Sequence, residues 1–205
     1  MIAKEKYMVA LFILLFLSSG FPQTDINAGI SIGPEGLKSF YFSISDYYHV
    51  PEQKVEVLGE RKIPEEELSV VFYIAGIAGE KPEAIIRLRL GGSSWYDISI
   101  KYGIYANMYY VPLKSNPGPP YGKAYGYFKN KPRKEWKNIN FTDEDIINLV
   151  NLRFISDYYG YDPTQIVKMR NEGKGFVAIN NIVRSDKKGN KNRSKGKGQS
   201  NKKNN

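Results

Sequence analysis

The sequence predicts a mainly α-helical protein, a small orthogonal bundle of about six to eight short helices built from duplicated helix–turn–helix units. Three observations carry that expectation. The pentapeptide Ile-Ser-Asp-Tyr-Tyr occurs twice, at 44–48 and at 155–159. Residues 82–98 and 163–179 superpose without a gap at an offset of 81, pairing Pro82 with Pro163, Ile85 with Ile166, Arg89 with Arg170, Gly92 with Gly173, Trp95 with Phe176 and Ile98 with Ile179. Between prolines and glycines placed as helix ends, apolar residues recur at three- and four-residue spacing.

Taken in order, residues 21–35 are rich in Gly, Pro, Ser and Asn and predict an irregular leader to a helical domain at 36–183. Leu37, Phe40 and Ile44 predict a first helix over 37–48, although Phe40, Phe42 and Ile44 also alternate as a strand would. Pro51 suits a first helical turn, where its missing N–H costs nothing, and Val55, Val57 and Leu58 predict the buried side of the next helix. Pro64 followed by Glu65, Glu66 and Glu67 is a strong helix start, because acids complement the positive helix end; this run reads as solvated. Residues 68–78 are apolar on nearly all sides, as a central helix requires, and Gly79 ends them. Pro82 opens a helix with Ile85, Ile86, Leu88 and Leu90 inward and Arg87 and Arg89 outward. Ser93 or Ser94 caps a further helix over 95–102 that closes at Gly103. Residues 111–137 hold Pro112, Pro117, Pro119, Pro120 and Pro132 with three glycines, and predict a long loop without regular structure. Thr142-Asp-Glu-Asp145 resembles a capping box opening a helix to Tyr159. Pro163 opens the next, with Ile166, Val167 and Met169 inward, and 174–182 predicts a last short helix.

Composition sets the address. Lys4 and Lys6 precede the uncharged apolar run 8–17 and the small residues Ser18, Ser19 and Gly20, the order of a secretory signal peptide cut after Gly20. The run is about half the ~20 residues that cross a bilayer as a helix, so an exported, periplasmic or secreted product without an anchor is expected. The chain has no cysteine, which excludes thiol catalysis, a lipidated cysteine and cysteine–metal sites. The net charge of +9 is local. Residues 184–205 carry nine basic residues against one acid, the first twenty add one net positive charge, and 21–183 is neutral. The 184–205 stretch has no apolar residue beyond Val183 and predicts a disordered basic tail.

Candidate functional residues are few. In 121–128 and at Trp136, aromatic rings sit among prolines, glycines and lysines; Tyr121, Lys123, Tyr125, Tyr127, Phe128 and Trp136 are the candidate binding residues, able to stack on sugars, bases or prolines, or alternatively to lie back on the helices and close the core. Asp46, Asp97 and Asp157 are the acids a hydrolase or lyase would use; Asp46 and Asp157 would otherwise cap or bridge their own units, with Arg89 and Arg170 as partners. His49 is the only histidine, too few for a multi-histidine metal site, and reads as a helix end. No cofactor or metal is expected. A helix-turn-helix over 68–104 would read DNA through Tyr96, Asp97, Ser99 and Lys101, a poor set for base edges, so chromosomal DNA is an unlikely partner.

Gly118-Pro-Pro-Tyr-Gly-Lys-Ala-Tyr-Gly126, the run 145–160 and Ser93-Ser-Trp-Tyr-Asp-Ile98 together resemble a group of uncharacterised exported bacterial helical proteins. That resemblance implies the address and the helical fold, and no activity. The expectation is therefore a non-enzymatic binding or structural protein of the envelope or extracellular space, engaging anionic envelope components through its lysine-rich tail. A hydrolase or lyase acting on an envelope polymer is the alternative, and an extracellular nucleic-acid binder using the tail is a third.

Overall fold

The computed structural model describes residues 33–200, with side chains as far as Lys188. The signal-like residues 1–20 and the leader as far as residue 32 lie outside the described residues. Among those described, the chain is helical without strands: α1 (Pro34–Tyr48), α2 (Glu52–Gly59), a 3-10 turn (Glu65–Glu67) running into α3 (Leu68–Ala78), α4 (Pro82–Leu90), α5 (Trp95–Lys101), a 3-10 turn (Ala106–Tyr109), α6 (Gly122–Asn130), a 3-10 turn (Arg133–Asn138), α7 (Asp143–Tyr159), α8 (Pro163–Asn171) and α9 (Phe176–Ser200). No helix among the described residues is long and apolar enough to cross a membrane.

The punctuation acts as the residue types require. Ser94 caps α5, its hydroxyl accepting from the Asp97 N–H, and Thr142 with Asp145 forms a complete capping box on α7. Asp162 caps α8. Gly79 and Gly160 leave α3 and α7 in the left-handed region that an L side chain resists, with φ of 67° and 55°. His49 ends α1 in the same region, φ 53°, without being glycine.

α3 and α7 pack on one another at the centre, and α1, α4, α5, α8 and α9 close around them. Leu68, Val70, Val71 and Ile74 of α3 and Ile146, Leu149, Leu152 and Phe154 of α7 are fully enclosed. Between these helices Ser69 donates to Asn151 at 2.9 Å, and Asn151 Nδ2 donates onward to the Glu66 carbonyl at 2.8 Å, so the polar atoms at the seam are satisfied.

Two elbows, α4–α5 and α8–α9, are closed by the same chemistry. In each, a glycine at positive φ (Gly92, 92°; Gly173, 84°) turns the chain. The guanidinium of Arg89 lies 4.9 Å from the Trp95 ring centroid, and that of Arg170 lies 4.7 Å from the Phe176 centroid. Each arginine also donates back to a carbonyl in its own turn, Arg89 to Ser93 at 3.3 Å and Arg170 to Lys174 at 3.2 Å. The first backbone N–H of the second helix is capped by an acid from elsewhere: Trp95 donates to Asp143 at 2.7 Å and Phe176 to Glu66 at 2.5 Å. Trp95 and Phe176 are both fully enclosed.

Several expectations are corrected. Arg89 does not point outward; it holds Glu67 through two hydrogen bonds of 2.9 Å and also meets Asp143, because the elbow leaves an unpaired acid beside it. The Glu65–Glu67 run is not simply solvated: Glu67 is buried against Arg89, Glu66 is engaged by Phe176 and Arg170, and Glu65 alone stays exposed. Val57 and Leu90 are exposed at 53% and 54%, since each sits at a helix position turned from the core. Pro34 and Glu35 belong to α1 and not to a leader. Residues 111–137 are not structureless: their prolines cluster before Tyr121 and at Pro132, and the proline-free span between them forms α6. Gly122 and Gly126 each cost a helix about 1 kcal/mol relative to alanine, which burial of Ala124, Tyr125 and Phe128 offsets. The basic stretch also differs. α9 does not end near residue 182 but continues to Ser200. Its early turns are held by Arg184 donating to Ser39, Tyr161 donating to Asp186 at 3.1 Å and Lys187 donating to the Gly160 carbonyl at 3.0 Å. A nucleated helix then needs only one further bond per added residue.

Two outcomes follow from these contacts. His49→Gly should raise stability and Gly160→Ala lower it, each by about 1 kcal/mol, since a side chain in the left-handed region costs that much; urea unfolding followed by circular dichroism measures both. Arg89→Ala should cost about 3 kcal/mol, because it strands the buried Glu67. Arg170→Ala should cost about 1 kcal/mol, because Glu66 is 3.7 Å away and its side chain is 26% exposed. Equal losses in the two variants would contradict the assignment.

Candidate anion-binding surface

The candidate binding residues fall on α6 and on the following 3-10 turn. There they divide by chemistry. Tyr121, Tyr125 and Phe128 recur at four- and three-residue spacing on one side of α6 and are 1%, 7% and 4% exposed. Tyr125 donates to the Val111 carbonyl at 2.5 Å, and Phe128 meets Tyr110, Trp136 and Phe141 edge-on at centroid distances of 4.9, 4.7 and 5.5 Å. Trp136 is half-buried; its indole N–H is shared between the Phe128 and Lys131 carbonyls at 3.1 and 2.9 Å, and Arg133 lies 5.4 Å from its ring. Tyr127 is half-buried and Lys123 exposed. Tyr121, Tyr125 and Phe128 therefore do not form an open stacking face. Their rings fasten the α6 segment to the body.

Around these anchored rings the segment carries exposed cations. Lys123, Lys129, Arg133, Lys134 and Lys137 are exposed and Lys131 is half-exposed, while Glu135 is the one acid between residues 121 and 140. None of these six cations joins an ion pair among the described residues. The positive charge is thus available to solvent, carried on short elements whose backs are anchored by aromatic rings. Such a surface attracts phosphate or carboxylate groups by charge.

The acids considered for hydrolysis are placed otherwise. Asp97 bonds Ser94 at 2.6 Å within its own helix cap. Asp46 and Asp157, from the two pentapeptides, are brought to neighbouring helix ends in a crossed arrangement: Tyr158 donates to Asp46 at 2.9 Å, and Tyr47 donates to Asp157 at 3.3 Å. Arg89 and Arg170 are not their partners. Burial, then the Asp157 charge, pushes the Tyr47 phenol up to about 12, and burial with the Asp46 hydrogen bond raises Tyr158 as well. Both phenols keep their protons at neutral pH and act as donors, so each carboxylate is held as an acceptor in a bridge between α1 and α7. His49 serves as a helix end, and Ser99 of the α5 helix is buried against Tyr109 at 2.6 Å. No group of three or more His, Asp or Glu side chains among the described residues is arranged to hold a metal ion.

Sequence reasoning missed Glu66, Glu67 and Asp143, the acids that close the elbows. Their signal was the pair of equivalent arginines, each needing a counter-charge, but the partners lie on other elements and no spacing rule reaches them.

Tyrosine ionisation tests this packing. Burial raises Tyr47, Tyr48, Tyr109, Tyr121, Tyr125 and Tyr158 above the ordinary phenol range near 10. A raised phenol binds its proton more tightly when folded. Its stabilising contribution is therefore complete below the unfolded pKa near 10 and is lost as pH rises toward the folded value. Absorbance at 295 nm should show some of the 16 tyrosines ionising near pH 10 and the rest only with loss of helical circular dichroism above it. A single phenolic titration near 10 with helicity intact would contradict the burial. No protein-family model, curated protein or solved structure matches this chain, so the surface is read on its own geometry.

Proposed function

We propose that the protein is an exported, non-enzymatic binding protein whose α6 surface engages an anionic polymer of the envelope or extracellular space. The observation that carries this reading is the concentration of exposed cations at Lys123, Lys129, Arg133, Lys134 and Lys137, none in an ion pair among the described residues, on a segment anchored by Tyr125 and Phe128. The stretch 21–183 is neutral as a whole, so this concentration is a local feature and not an overflow of general basicity. The basic residues of the 184–205 stretch, starting on α9, supply a second source of positive charge. Export rests on the order of residues in 1–20. The scaffold in this reading is a duplicated helix–turn–helix. The offset of 81 in sequence, the arginine-over-aromatic elbows and the crossed Asp46–Tyr158 and Tyr47–Asp157 bridges support it.

The experiment is retention of the mature chain on immobilised long-chain polyphosphate as salt is raised. Lys123→Glu/Lys134→Glu/Lys137→Glu should elute at markedly lower salt. By analogy with single-stranded polyanions, its log–log salt slope should fall by roughly 0.7 for each phosphate contact removed, about 2 in all. Removal of residues 184–205 should weaken retention further but not abolish it. Unchanged elution of the triple variant, with all retention residing in 184–205, would sink the α6 surface as the site.

A further inference from the structure

We propose that residues 26–32 of this chain dock in the groove between α1, the Glu65–Glu67 turn, α7 and α9. The groove has a volume of about 850 Å³, and Leu37, Ile147 and Val177 form its apolar floor. Glu65 and Glu144 are exposed on its rim. Glu66, Glu67 and Arg170 also line it, but they are engaged in closing the two elbows.

Chain continuity points to the occupant. Gly33, the first described residue, is itself part of the groove wall. Ile32 is one peptide unit further, ~3.8 Å between α-carbons. The preceding residues read Ile26-Asn-Ala-Gly-Ile30-Ser-Ile32, without a charge. Ile30 and Ile32 are two apart, so an extended segment turns both to one face. An uncharged segment with apolar side chains on one face fits an apolar floor and escapes repulsion by the rim acids.

The other basic or acidic parts of the chain fit less well. Residues 184–205 would be drawn to Glu65 and Glu144, but they hold no apolar side chain and cannot cover Leu37, Ile147 and Val177. Val177 stands at the groove, and α9 carries the chain away from it as far as Ser200, about 35 Å at the helical rise. This inference goes beyond the anion-binding reading, and either can fail alone, because the groove and α6 share no residue.

The native chain has no cysteine, so thiol pairs can be introduced cleanly. Ile30→Cys/Ile147→Cys and Ile32→Cys/Ile147→Cys, in the mature chain, should give an intrachain disulfide under mild oxidant in at least one pair. That bond needs β-carbons within about 4 Å, and it should form at least tenfold faster than in Ile30→Cys/Ile77→Cys, whose second site is exposed at the far end of α3. Rates equal to the control, or a disulfide joining two chains, would overturn the proposal, the latter in favour of a second copy in the groove. Hydrogen exchange on the unmodified mature chain supplies an independent readout. Amides 28–32 should exchange at least tenfold more slowly than in Ile147→Lys, with the helical circular dichroism of the two unchanged; equal exchange would also overturn it.

Discussion

The architecture depends on how two helix–glycine–helix elbows are closed. A glycine turn lets α5 follow α4, and α9 follow α8, but it leaves the first N–H groups of the second helix without partners and a bulky aromatic at the corner. The chain solves both with one kind of assembly: an arginine laid over the aromatic, and a carboxylate that accepts from the exposed N–H while facing the arginine. The carboxylates do not come from the elbows themselves. Glu66 serves the α8–α9 elbow and Glu67, its neighbour, serves the α4–α5 elbow, with Asp143 from the start of α7 completing the latter. One short turn before α3 therefore ties together helices that are far apart in sequence.

The two elbows are not energetically equal. Glu67 has a side chain only 9% exposed and a bidentate partner, whereas Glu66 is more open and its contact with Arg170 is longer. In the first case the pair exists in a medium where an unpaired charge is costly; in the second, water already satisfies much of the charge. At the opposite end of α1 and α7, the crossed tyrosine–aspartate bonds are exposed and add little individually. Their contribution is to fix how the two helices meet, because each bond constrains a different helix end.

What the sequence disclosed was local. Pro82, Pro163, Gly79 and the Thr142–Asp145 box act at short range, so helix ends near them are readable, and so are the buried isoleucines that recur between them. Counting breakers over 111–137 as a whole hides α6, because the prolines all lie outside 121–130 and the two glycines inside it, Gly122 and Gly126, only weaken a helix. Arg89 was misjudged for a different reason. Its helix position marks it as outward, and only the distant Glu67 and Asp143 turn it inward. Several aromatics of 121–136 meet one another, but composition alone does not say which rings face the body.

That division of the α6 segment carries the last step of the argument. The rings of Tyr125 and Phe128 face inward and are bound by packing and by the Val111 carbonyl. Of the exposed cations on the segment, none joins an ion pair among the described residues, and Arg133 alone meets a ring, that of Trp136. At physiological salt, charges more than about 8 Å apart are largely screened, and closer ones repel. Five exposed cations against the single acid Glu135 on so short a stretch are therefore mildly unfavourable to the isolated domain. Salt should ease that internal repulsion while weakening attraction to a polyanion, so stability and binding respond to ionic strength with opposite signs. A surface maintained at some cost to its own stability, in a stretch 21–183 that is neutral as a whole, is more economically explained by the proposed anionic partner than by solubility alone, which dispersed charges would serve as well.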